Sequence, residues 1–219
     1  MNRNLYHRLQ ARFPTDPRSP CLLLPGGRVI SYGELDQQSA RYANLLVALG
    51  LKPGDRVAVQ VEKSAEAVAL YLGCLRAGCV FVPLNPAYQR SEIRHFLEDA
   101  EPGLFVYGPQ ARELAHEAAM RWKIRHTLEL ADDGSGTLAE RAAEQVASFG
   151  TAQRDDDDLA AILYTSGTTG RSKGAMLAHK TLGANCEVLL EAWRFRPDDV
   201  LLHMLPIFHF HGLFVALNT

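Results

Sequence analysis

Between residues 56 and 107, short apolar runs alternate with helix-patterned segments, and that alternation leaves few folds open to the chain. Residues 56–61 (RVAVQV) and 79–84 (CVFVPL) are near-continuous apolar runs of strand length, the pattern of strands buried on both faces. The segment from Ser64 to Ala77 between them carries Ala67, Val68, Leu70, Tyr71, Leu72 and Leu75. A helix apolar on most sides must lie sandwiched. Gly78 closes it, a helix is predicted over residues 91–98, and Leu104–Tyr107 is a third strand. Strand, helix, strand, helix in quick succession implies a parallel sheet with right-handed crossovers. The fold class is therefore α/β.

The flanking segments fit this frame. Leu5, Leu9 and Phe13 repeat every four residues and predict an amphipathic opening helix. Residues 21–24 and 29–30 flank Pro25-Gly26-Gly27-Arg28, a hairpin signal. Ser31-Tyr32-Gly33-Glu34 reads as a capping box opening a helix that Gly50 ends. Further along, a helix is predicted near residues 110–121, a strand over 124–130, a long helix over 176–193 and a core strand over 200–205 that Pro206 stops.

Residues 159–164 (LAAILY) form another buried-strand pattern and run straight into Thr165-Ser166-Gly167-Thr168-Thr169-Gly170-Arg171-Ser172-Lys173-Gly174. Almost no apolar surface remains in those ten residues, so the loop is not core. Glycines let backbone N–H groups approach a ligand closely. Hydroxyls add donors, and lysine supplies a compact positive charge. Together they suit a polyphosphate. A Walker A loop needs glycine and lysine adjacent, followed by Ser or Thr; here Ser172 precedes Lys173 and Gly174 follows it. A second glycine-rich stretch, residues 134–139, formally matches a dinucleotide fingerprint. Asp132 and Asp133 stand where a pyrophosphate would arrive, and that reading is set aside.

Pro206-Ile207-Phe208-His209-Phe210-His211-Gly212-Leu213 is the other informative stretch. In extended backbone the two histidines would share one face. A metal pair lacks a third Cys, His or acid nearby to complete a tetrahedral set, and a buried, hydrogen-bonded structural role is the plainer reading of either histidine.

Composition excludes several classes. The chain has 219 residues with 47% apolar and 22% charged side chains, ordinary for a globular protein. A net charge of −2 offers no basic excess for nucleic acid. Cys21, Cys74, Cys79 and Cys186 are scattered without disulfide or metal spacing and read as reduced core residues. No run approaches the roughly 18 apolar residues of a membrane span. The default location is the cytosol.

Residues 164–174 resemble the phosphate-binding signature of the adenylate-forming superfamily, which includes acyl-CoA synthetases, luciferases and nonribosomal adenylation domains. Many members have proline where Ser172 stands, and the TGRSKGAML form of residues 169–177 is similar to malonyl-CoA synthetases. The resemblance implies that Thr165, Ser166, Gly167, Thr168, Thr169, Gly170 and Lys173 contact the β- and γ-phosphates of ATP. Pro-x-Phe-His-x-x-Gly-Leu recurs in acyl-CoA synthetases, which implies a catalytic position for His209 beside the substrate carboxylate. His211 is an addition associated with malonate-specific members. Residues 31–35 and 76–86 look like early structural motifs of the family, so the resemblance spans nearly the whole chain.

It further implies the N-terminal part of the adenylate-forming fold, incomplete at the C-terminus, with residues 1–219 in the large domain. ATP, Mg2+ and CoA enter as family partners together with a small carboxylic acid. The aromatic-Gly-x-Thr-Glu segment for adenine and magnesium, the ribose aspartate, the hinge and the small C-terminal domain with its lysine have no counterpart in these 219 residues. The expectation is a truncated acid–thiol ligase with little or no activity. Alternatives are a medium- or long-chain fatty acyl-CoA ligase and a non-catalytic nucleotide-binding module.

Overall fold

Caps and turn residues set the element boundaries. The structure, a computed structural model, describes residues 2–165 and 172–219. Ser31 starts α2 (Tyr32–Ala48) through a complete capping box with Glu34, and Ser64 caps α3 (Ala65–Ala77) by accepting from the Ala67 amide at 3.1 Å. Gly78 ends α3 at φ 73°, a left-handed conformation that costs glycine little. Before these lie α1 (Leu5–Gln10) and the β1 (Pro20–Leu23)–β2 (Val29–Ser31) antiparallel hairpin. After them come β3 (Arg56–Gln60), β4 (Val80–Pro83), α4 (Arg90–Ala100), β5 (Leu104–Tyr107), α5 (Arg112–Arg121), β6 (His126–Glu129) and α6 (Thr137–Ala143). The chain continues with β7 (Leu159–Thr165), β8 (Lys173–Ala178) and α7 (His179–Trp193).

The expected parallel sheet is present, with six strands in the order β6-β5-β3-β4-β7-β8. All neighbours run parallel except the β7–β8 pair. Alternate residues of each strand feed two cores. Val57, Val59, Phe81, Leu104 and Val106 pack with α2, α3 and α6, whereas Ala58, Val82, Phe105 and Tyr164 pack with α4 and α5. α3 is buried along its whole length, including Leu70, Tyr71 and Leu75. Each such large side chain contributes about 1.5–3 kcal/mol by leaving water.

The buried guanidinium of Arg76 ties the first three helices together. It donates to the Tyr6 hydroxyl (3.1 Å), the Asp36 carbonyl (2.7 Å), Ser39 Oγ (2.9 Å) and the Phe149 carbonyl (2.9 Å), and it pairs with the Asp36 carboxylate at 3.1 Å. It also lies 4.6 Å from the centre of the Tyr6 ring. The segment 76–86, read as a structural motif, has this buried cation as its first residue.

Two expectations fail. The helix anticipated from residue 176 begins at His179, because Lys173–Ala178 is a strand paired antiparallel with β7. A completed hydrogen-bond ladder overrides the helical preference of Ala, Met and Leu there. Residues 200–205 form no strand, and Val200, Leu202 and Met204 are exposed rather than core. A strand needs a neighbour's row of N–H and C=O groups. Here the Lys63 ammonium donates to the carbonyls of His203 (2.9 Å) and Leu205 (3.2 Å) instead.

Candidate functional site

β7 leaves the sheet and returns as β8, so the hydroxyl- and glycine-rich stretch connects two paired strands. Thr165 stands directly opposite Lys173 and Tyr164 opposite Gly174. Thr165 Oγ1 lies 3.5 Å from the Lys173 carbonyl, and both residues are exposed. Of the seven phosphate-contact candidates, these two are brought together at the loop end of the hairpin. Ser166, Gly167, Thr168, Thr169 and Gly170 lie outside the described residues. An ammonium and a hydroxyl at one rigid strand end form a donor pair suited to phosphate oxygens.

The loop end of the hairpin is held by α4. Tyr164 is buried, its ring stacks on Phe96 with centroids 4.4 Å apart, and its hydroxyl donates to Asp99 Oδ2 at 2.6 Å. Burial first, then the Asp99 hydrogen bond and negative charge, push the Tyr164 pKa up, so the hydroxyl keeps its proton. On the other strand, the Ser172 carbonyl lies 3.3 Å from His95 Nε2. A carbonyl only accepts, so this contact assigns the proton to Nε2. Neither His95 nor Asp99 was singled out from the sequence. The signal available was their i,i+4 spacing beside the Ile93, Phe96, Leu97 and Ala100 face.

The histidine stretch departs from its plainer reading. His209 and His211 are both exposed, not buried. The intervening Phe210 has helical dihedrals, φ −49° and ψ −50°, so residues two apart do not share a face. A wide helical segment of π type runs over His211–Leu217, and its Leu213, Phe214 and Val215 anchor in the core. Gly212 is required by close approach, since a Cβ there would fall 2.0 Å from the Pro206 carbonyl oxygen. The motif thus folds as a turn that presents His209 and His211 outward. Among the described residues, no group of three or more His, Cys, Asp or Glu side chains could hold a metal ion. The dinucleotide-like segment faces a carboxylate, because Glu66 lies against Gly134.

His179, at the start of α7, was also missed. Its Nδ1 accepts the Leu5 amide at 3.0 Å, and burial, aided by Arg154 and opposed by Asp158, pushes its pKa down to about 4. The four cysteines are free, and burial pushes the Cys21 and Cys186 thiols up to about 11.

The profile of the AMP-binding enzyme family matches residues 9–219. The chain belongs to this family. Its members of known identity include an oxalate–CoA ligase of Arabidopsis thaliana, 33% identical over 92% of this chain and 40% of that protein. A malonate–CoA ligase from the same plant is 32% identical over 87% of this chain and 34% of its own length. ATP-bound MatB from Rhodopseudomonas palustris superposes with a TM-score of 0.93 at 51% identity, covering 100% of this chain and 43% of MatB. The chain therefore spans about two fifths of the length of these relatives. Its α/β architecture, with a mostly parallel sheet and flanking helices, matches the N-terminal part of the adenylate-forming fold. Among the described residues, no helix is long and apolar enough to cross a membrane.

Proposed function

We propose that this chain supplies the phosphate-binding and acyl-side elements of an ATP-dependent acid–thiol ligase that activates a small carboxylate, with malonate as substrate. The observation that carries the reading is the Thr165–Lys173 pair at the loop end of the β7–β8 hairpin, within a chain half identical to a protein solved with ATP bound. In the reaction, a carboxylate oxygen attacks the α-phosphorus of ATP and the bond to pyrophosphate breaks. The thiol of CoA then attacks the acyl carbon, and AMP leaves with the bonding electrons.

Thr165 and Lys173, with residues 166–170, hold the β- and γ-phosphates. The Lys173 ammonium offsets the charge gathering on the departing pyrophosphate. His209 lies at the carboxylate end of the acyl site, and His211 meets the second carboxylate of a diacid. Each imidazole is exposed, and a polar group at either position suits a short dianion better than a long apolar tail. Oxalate– and malonate–CoA ligases among the relatives point the same way. Residues 1–219 act as part of the large domain; Mg2+ and CoA are met by groups outside them. On its own the chain turns over little or nothing.

Equilibrium ATP binding to the purified chain tests the phosphate reading. Lys173→Ala is expected to weaken binding roughly tenfold or more, the loss of one charged contact; equal affinity would overturn the assignment. Pyrophosphate release measured with malonate, oxalate and a long-chain fatty acid, each with CoA, tests the rest. Turnover near that of full-length ligases would overturn the inactivity. A preference for the fatty acid would favour the long-chain alternative, and tight ATP binding without pyrophosphate release in any longer version would favour a non-catalytic module.

A further inference from the structure

We infer that one turn of α4 acts as a clamp on the phosphate loop, with His95 and Asp99 as positioning residues that grip the two flanks of residues 166–171. Asp99 accepts from the Tyr164 hydroxyl at 2.6 Å, two residues before that segment, and His95 Nε2 donates to the Ser172 carbonyl at 3.3 Å, immediately after it. Phe96, between them in sequence, stacks on the Tyr164 ring at 4.4 Å. The His95 ring meets the same tyrosine edge-on at 6.5 Å. Both flanks of residues 166–171 are therefore referenced to a single helical turn, through the residue before Thr165 and the residue before Lys173.

The contacts differ from ordinary helix packing. α4 rests on the sheet through Ile93, Phe96, Leu97 and Ala100, spaced i, i+3, i+4, i+7. His95 is half-buried and Asp99 exposed, so both lie off that face, and their removal leaves the apolar seat of the helix intact. What they add is direction. The Tyr164 hydroxyl fixes where β7 ends, and the Ser172 carbonyl fixes where β8 begins. Donors that bind a polyphosphate gain affinity when their geometry is set beforehand, because less ordering is left for the binding step.

The inference rests on the phosphate reading above, and its test keeps the two apart. Asp99→Ala, Tyr164→Phe, His95→Ala and Asp99→Asn are compared with the unaltered chain by hydrogen–deuterium exchange of peptides covering 162–165 and 172–176, and by ATP affinity. Thermal unfolding of each variant checks the fold. Asp99→Ala and Tyr164→Phe remove the same bond. They are expected to raise flank exchange equally, to raise the ATP Kd roughly three- to tenfold, and to add nothing to each other when combined. His95→Ala acts on the other flank and is additive. Asp99→Asn keeps an acceptor oxygen and restores most of the affinity.

Unchanged exchange at both flanks overturns the clamp, whatever ATP does. Raised exchange with unchanged ATP affinity overturns its service to the phosphate loop. If the unaltered chain does not bind ATP, the phosphate reading fails by itself, and raised flank exchange still supports α4 as the element that positions the hairpin.

Discussion

One ring nitrogen of buried His179 has a fixed role: Nδ1 must stay unprotonated to accept the Leu5 amide. With a folded pKa of about 4 against an ordinary 6.5, the unfolded chain takes up the proton first as pH falls. Stability is complete above about pH 6.5 and declines toward pH 4, by on the order of 3 kcal/mol for a shift of this size. Urea unfolding at pH 7 and pH 4.5 should reveal this slope, and His179→Gln should flatten it. An identical slope in the variant would sink the assignment. Arg76 makes a second prediction at this scale. Arg76→Ala is expected to cost about 3 kcal/mol, since Asp36 and Tyr6 lose their buried partner. Arg76→Lys should recover less than half, because an ammonium cannot serve the same diverging acceptors. Chemical denaturation of both variants checks this; full rescue by lysine would count against the forked geometry. None of these roles was legible in sequence. A histidine or arginine in an apolar stretch does not declare its partners, which here lie 174 and 40 residues away in the chain.

Among the elements, those bounded by local chemistry were legible. The Ser31 capping box and the Gly78 terminus fixed the start of α2 and the end of α3 close to where they stand, because capping is decided within four residues. Ser31→Ala should therefore destabilise the fold by about 1 kcal/mol, seen as a lower denaturation midpoint at constant m-value. No shift would mean that tertiary packing alone holds the α2 start. Residues 173–178 were misread because their partner, β7, was needed to make a strand of them. The same dependence hid what α4 touches, though the helix itself was expected over residues 91–98. Its apolar face was readable as a period, but the use of His95 and Asp99 depended on where the hairpin ends came to lie.

At the scale of the molecule, the most visible misfit is apolar surface. Val200, Leu202, Met204 and Leu205 are exposed, at 78%, 81%, 78% and 46%, and Met176, Val188 and Trp193 add to the surface. Contiguous apolar exposure favours association. The purified chain should bind a hydrophobic dye and self-associate at micromolar concentration. The double variant Leu202→Ser, Met204→Ser should reduce both, with a stability change within about 0.5 kcal/mol. Light scattering and dye fluorescence read the outcome, and a large stability loss would show that these side chains are packed after all. The sequence by itself determined the α/β class, the strand–helix alternation, the Ser31 capping box and the hydroxyl-, glycine- and lysine-bearing composition of residues 165–174. Each of those depends on neighbours in the chain or on residue type alone. The tertiary structure decided the antiparallel return of β8, the outward presentation of His209 and His211, the burial of Arg76 and His179, and the hold of α4 on the hairpin. Those features exist only where distant segments meet, and no local period or propensity encodes such a meeting.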